Sequence, residues 1–156
     1  MLPTDGFECA GSIGHAGLNL EPEPLPAGRH RNRYGDGPFA RLKMPPLPVE
    51  PGLYLWQMGD EVVYVGQTRT PLRERLGSRG YATISNYNTF AREPGRKNGG
   101  QETNCRINAL ANEALSSGQE LRIWVRVLDA SVVKTEEARW MGDFGTPPWN
   151  RREERI

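Results

Sequence analysis

The sequence predicts one α/β (α+β) domain: a small three-stranded, mainly antiparallel sheet flanked by helices, with an irregular N-terminal arm in front of it. Three observations predict this. Two short β-rich runs, residues 53–57 and 62–66, flank a glycine-bearing turn. Three segments carry apolar residues at helical spacing. One further run, residues 121–128, alternates strictly between apolar and polar. A chain of 156 residues suffices for one domain with a workable core and is too short for two full ones.

Residues 1 to about 38 read as irregular. Glu21-Pro-Glu-Pro-Leu-Pro and Tyr34-Gly-Asp-Gly-Pro are poor hosts for regular structure, because proline lacks a donor and glycine loses the most backbone entropy. Phe39 to Met44 alternates weakly and is a candidate edge strand. The arm is therefore set at residues 1–44, basic and rich in proline and glycine, and the main domain at 45–156. The hairpin follows, turning at Met58-Gly-Asp-Glu. Thr70 suits a helix N-cap and Pro71 a first helical position, so a helix is expected from there to about Gly77. A long polar insertion occupies about 80–118, and such loops in small domains are usually functional or disordered. Within it Ile107, Leu110, Ala111, Ala114 and Leu115 share one face of a helix over about 104–117, stopped by Gly118. In the next strand Leu121, Ile123, Val125 and Val127 point one way. The last helix covers about 134–144 and is stopped by Pro147-Pro148.

Composition excludes several classes. Cys9 and Cys105 lack metal-ligand spacing, so neither a disulfide framework nor a zinc site is expected. No run approaches the roughly 20 apolar residues of a membrane span, and residues 1–17 do not read as a signal peptide. A cytoplasmic protein is the expectation. Net charge is only +1, yet the cations are clustered: Arg29, His30, Arg31, Arg33, Arg41 and Lys43; then Arg69, Arg73, Arg75 and Arg79; then Arg92, Arg96 and Lys97.

Two charges fall where the pattern wants apolar side chains. Trp140, Met141 and Phe144 mark the buried face of the last helix, and Glu137 shares it. A carboxylate there is costly unless paired or bound to a metal. Its neighbour Glu136 points about 100° away. Likewise Leu72 and Leu76 mark the inner face of the first helix, and Arg75 lies on that face while Arg73 and Glu74 do not. An inward carboxylate and an inward guanidinium are candidates for one pocket.

At these residues the chain resembles the GIY-YIG nuclease family. The two eponymous motifs appear as Gly52-Leu53-Tyr54 and Tyr64-Val65-Gly66. The family's helical arginine matches Arg75, its metal-binding glutamate Glu137 in Glu137-Ala138, and its terminal asparagine Asn150 in Pro147-Pro-Trp-Asn. The match runs from Gly52 to Asn150 in order. Many members carry lysine after the second motif where this chain has Gln67, and some carry histidine where it has Arg79. The insertion resembles that of larger, restriction-enzyme-like members.

The resemblance implies a DNA endonuclease using Mg²⁺ (or Mn²⁺) held by Glu137. Arg75 clamps the phosphate, Tyr54 serves as general base, Tyr64 positions the water or phosphate, and Asn150 orients the site. A shared tyrosine face requires a three-residue hairpin loop or an equivalent bulge. Arg73, Arg79, Arg96, Lys97 and Arg106 are candidate nucleic-acid contacts, with Asn86, Asn88, Gln101 and Asn104 as candidates for reading base edges. Double-stranded DNA is the implied substrate, and double-strand cutting would call for a homodimer on it. Two alternatives stand beside this reading. One is a catalytically inactive nucleic-acid-binding module on the same fold. The other is a small α/β protein without a nucleic-acid role, in which Glu137 pairs with Arg75.

Overall fold

The computed structural model describes residues 1–20, 24–25, 27–77, 79–91 and 101–151. In chain order the elements are β1 (Glu8–Leu20), β2 (His30–Arg31), β3 (Phe39–Lys43), β4 (Gly52–Met58), β5 (Glu61–Thr68), α1 (Leu72–Leu76), α2 (Asn86–Thr89), β6 (Phe90–Ala91), α3 (Gln101–Ser116), β7 (Leu121–Val127) and α4 (Val133–Phe144), then a 3-10 turn at Pro148–Asn150. Five strands form one antiparallel sheet in the order β3-β1-β7-β4-β5, and β2 pairs with β6.

The three expected strands are its β7-β4-β5 half. The expectation of three strands and an irregular arm is corrected by β1, while β3 takes the edge place read for Phe39 to Met44 and brings the sheet to five strands. β1 begins with Glu8 paired to Val125 and then continues alongside β3. Its glycines disguised it, since glycine weakens a strand in isolation. Here Gly11 occupies a register shift at φ 136°, where the neighbouring strand supplies the stability that propensity withholds.

The hairpin solves the register problem with a bulge. Met58 pairs with Glu61, leaving a two-residue turn with Gly59 at φ 58°. Gln57 then pairs with Val62 but Trp56 with Tyr64, so Val63 is the extra residue. Beyond it Tyr54 faces Gly66, and Tyr54, Trp56 and Tyr64 share one face of the sheet.

That face packs with Ile13, Leu121 and Ile123 against Leu72, Leu76, Tyr81, Ile107 and Ala111. The opposite face offers Leu55, Val65 and Trp124 to Trp140, Met141 and Phe144 of α4. Exposed strand edges invite unwanted pairing, and both edges here are met by an asparagine amide. The Asn108 amide accepts from the Ala40 N–H of β3 (3.0 Å) and donates to its carbonyl (2.9 Å). Asn150 does the same at Val65 of β5 (2.9 and 2.8 Å).

Helix limits follow the expected ones with small shifts. Pro71, not Thr70, occupies the N-cap of α1, because the Thr70 hydroxyl lies 2.8 Å from that of Thr68. Val127 shares the inward parity of β7 but is 49% exposed at the strand's end. Among the described residues no helix is long and apolar enough to cross a membrane. Both cysteines are free, and burial pushes the Cys105 thiol up to about 11.

Candidate functional site

The site is built around a residue the motifs do not contain. Tyr81 is fully buried, and its hydroxyl lies 2.9 Å from that of Tyr54 and 2.9 Å from that of Tyr64. Arg75 Nη2 donates to the same oxygen at 2.8 Å, and its guanidinium lies 4.1 Å from the Tyr81 ring centroid. Arg75 Nη1 donates to Asn104 Oδ1 at 2.6 Å.

A hydroxyl has one proton and two lone pairs. The arginine can only donate, so it takes one lone pair of Tyr81. The remaining lone pair and proton serve the two tyrosines, one donating to Tyr81 and the other accepting from it. The cluster is therefore polarised.

Local sequence explains how these groups meet. The Tyr54 ring lies over Gly66, where a Cβ would fall far inside contact with its ring carbons and hydroxyl. Glycine in the second motif makes room for the tyrosine of the first. Gly80 passes the Arg75 carbonyl too closely for any side chain, and this close approach delivers Tyr81 beside Arg75.

Burial raises the pKa of Tyr54, reinforced by the facing Tyr64 and opposed by Arg75 and by the Tyr81 hydrogen bond. Tyr64 and Tyr81 are raised by burial too. For Arg75, burial works downward but is outweighed by the three tyrosines, which hold its charge on more firmly.

Glu137 comes from α4, which covers the opposite sheet face. It is half-buried, and that burial raises its carboxyl pKa. Its charge contributes to the upward shifts of Tyr54 and Tyr64, behind their own burial. No ion pair joins it to Arg75 among the described residues. Glu136, one residue earlier, meets Arg139 at 3.2 Å and Arg126 at 3.7 Å. The described residues hold no cluster of three or more metal-ligating side chains. A single half-buried carboxylate without a protein cation still fits one hard cation that keeps most of its waters.

Of the five residues picked from the motifs, the structure joins Tyr54, Tyr64 and Arg75 through Tyr81. It places Asn150 on the backbone of Val65, next to Tyr64, and leaves Glu137 on α4, which covers the other face of the sheet. The Gln67 Oε1 is buried and has no hydrogen-bond partner among the described residues.

The outlying cations divide. Arg79 is exposed, and Arg73 is exposed with Nε donating to the Leu47 carbonyl. Arg106 is only 8% exposed. Its guanidinium donates to the Trp149 carbonyl and lies 5.9 Å from the Tyr34 ring centroid, at the floor of a groove of about 700 Å³. Arg96 and Lys97 lie outside the described residues, as do the side chains of Asn86 and Gln101. Two of the base-reading candidates are corrected: Asn88 and Asn104 are buried within the fold.

Sheet, hairpin motifs and cluster together resemble the arrangement that the GIY-YIG motifs imply. No family model matches the chain. A stretch of 35 residues is 54% identical to UvrABC system protein C of Thermus thermophilus, covering 22% of this chain and 6% of that protein. The chain thus corresponds to a small part of that relative's length. A solved structure of a bacteriophage T4 EndoII mutant aligns over 79% of this chain and 87% of that one, at 23% identity and a TM-score of 0.49. The motifs and the 35-residue match support a GIY-YIG nuclease family for this chain.

Proposed function

We propose that this protein is a metal-dependent endonuclease that hydrolyses phosphodiester bonds in double-stranded DNA. The observation that carries the reading is the convergence of Tyr54, Tyr64 and Arg75 on the Tyr81 hydroxyl.

Hydrolysis needs an activated water and neutralised charge on the phosphate. Glu137 would hold one Mg²⁺ or Mn²⁺, which when bound supplies charge neutralisation at the phosphate and the leaving 3′ oxygen. Arg75 engages the non-bridging oxygens through its fork of donors. Tyr64 is the more open of the two motif tyrosines, 6% exposed against 1%, and positions the attacking water. Tyr54 is the proton sink. The water gives a proton to the Tyr64 oxygen as Tyr64 passes its own to Tyr81 and Tyr81 passes its own to the Tyr54 phenolate. This direction satisfies the Tyr81 hydroxyl, which accepts from Arg75 and Tyr64 and donates to Tyr54. The new P–O bond forms as the bond to the 3′ oxygen breaks.

The test is incubation of plasmid DNA with the purified chain, with and without Mg²⁺ or Mn²⁺. Wild type should nick only with metal. Glu137→Ala and Arg75→Ala should lose about 10²–10³-fold or more while still binding DNA. Undiminished cleavage by either variant removes the assigned roles. Binding without cleavage by wild type leaves the inactive-module alternative.

A further inference from the structure

Helix α3 carries Asn104, Asn108 and Asn112, one turn apart on a single face. All three are buried, at 5%, 0% and 2% exposure. Asparagine is a mediocre helix former, and a buried amide is costly unless bonded. Each of these amides is bonded to something different. Asn112 Oδ1 lies 3.0 Å from His15 Nε2, and its Nδ2 donates to the Pro38 carbonyl at 3.2 Å. Asn108 seals the β3 edge and also donates to the Tyr81 carbonyl at 2.7 Å. Asn104 takes Arg75.

The two shortest side-chain contacts of Arg75, to the Asn104 amide and the Tyr81 hydroxyl, are with uncharged groups, and Tyr54 adds to the hold on its charge. A carboxylate would bind a guanidinium more strongly, but it would also cancel the charge that a phosphate needs. Glu102, the acidic residue in the first turn of α3, is engaged instead by Arg33 of the N-terminal arm, 2.5 Å away. Arg75 is thereby fixed in plane by two of its five donors and keeps its full charge.

We infer that α3, although it lies in the insertion, belongs to the working site. Asn104 is a positioning residue that orients Arg75 without neutralising it, and Asn108 positions Tyr81 through its backbone. The inference rests on the endonuclease reading for its consequence in cleavage, but not for the geometry itself.

The experiment therefore has two readouts. The first is spectroscopic: the Arg75 Nη signals in a ¹⁵N–¹H spectrum of the free protein, assigned with Arg75→Lys. Held by Asn104, they should be resolved in wild type and averaged by rotation in Asn104→Ala. Identical Arg75 signals in the two proteins overturn the positioning role whether or not the chain cleaves DNA.

The second is steady-state cleavage. Asn104→Asp keeps the shape and the bond but pairs the charge. It should melt at or above the wild-type temperature, keep KM within about 3-fold, and lose about 10–100-fold in kcat. Asn104→Ala should lose about 10-fold in kcat with KM likewise kept, which covers the case in which the aspartate variant does not fold. Wild-type kcat in a folded aspartate or alanine variant overturns the inference. A wild-type chain that cleaves nothing overturns the endonuclease reading, and the Arg75 signals still decide the geometry.

Discussion

The tyrosine–arginine cluster and the Glu137 region of α4 stabilise their polar groups in contrasting ways. In the cluster, three hydroxyls and a guanidinium are buried together and satisfy one another through Tyr81. On α4, Glu136 is held by two arginines, while Glu137, just as partly buried, meets a desolvation cost without an ion pair among the described residues. The first region is a preorganised network whose members lose meaning singly. The second is one charge whose compensating partner is not a neighbouring side chain. The difference implies that the cluster should fail cooperatively, whereas Glu137 should trade stability against activity on its own.

Cooperative failure is the largest effect. If protons pass from Tyr64 through Tyr81 to Tyr54, then Tyr54→Phe and Tyr81→Phe should each lower kcat by about 10²–10⁴-fold. The double variant should be scarcely worse than either single one, because both break the same path. Multiplicative losses would show two independent roles. The sink is a phenol whose pKa burial raises, so its reactive phenolate is scarce and grows tenfold with each pH unit below that value. Wild-type cleavage at fixed metal should accordingly climb through pH 6–9 without a plateau, and the Tyr54→Phe residual rate should be flatter. A plateau near neutrality would assign the base elsewhere.

A smaller perturbation sharpens the same point without removing a polar group. Gly66→Ala places a methyl against the Tyr54 ring. The ring must move or β5 must, at a cost of about 1–3 kcal/mol. Thermal denaturation should show that loss, and cleavage should fall about 10-fold as Tyr54 leaves its bond to Tyr81. Wild-type stability and cleavage together would mean that the ring relaxes freely and the motif glycine serves another purpose.

Much of this was legible in the residues. Arg75 and Glu137 stood out because a charge on an apolar helical face is costly, and the hairpin stood out because its turn chemistry is local. What stayed hidden depends on distant partners. Tyr81 follows Gly80 in a stretch without periodicity, and its role arises only when α1, β4 and β5 pack around it. The asparagines of α3 did carry a signal, the 104, 108, 112 spacing, but polar residues at helical spacing ordinarily mark a solvated face. β1 was masked by Gly11, Gly14 and Gly17, whose weak strand propensity is overruled by pairing to β7.

The least drastic test is of Glu137 alone. Its folded-state carboxyl is raised above the unfolded value, the reverse of the usual paired acid. Between those two values the folded chain binds more protons, so stability falls as pH rises through the window and stays lowered above it. Glu137→Gln removes the buried charge. It should therefore melt higher than wild type at pH 7, with the gap closing as pH drops through the raised value toward the ordinary carboxylate range. Mg²⁺ should close the gap from the other side by raising the wild-type midpoint alone. A glutamine variant less stable than wild type at pH 7 in metal-free buffer would mean that the carboxylate already has a partner, and the contrast between the two regions would dissolve.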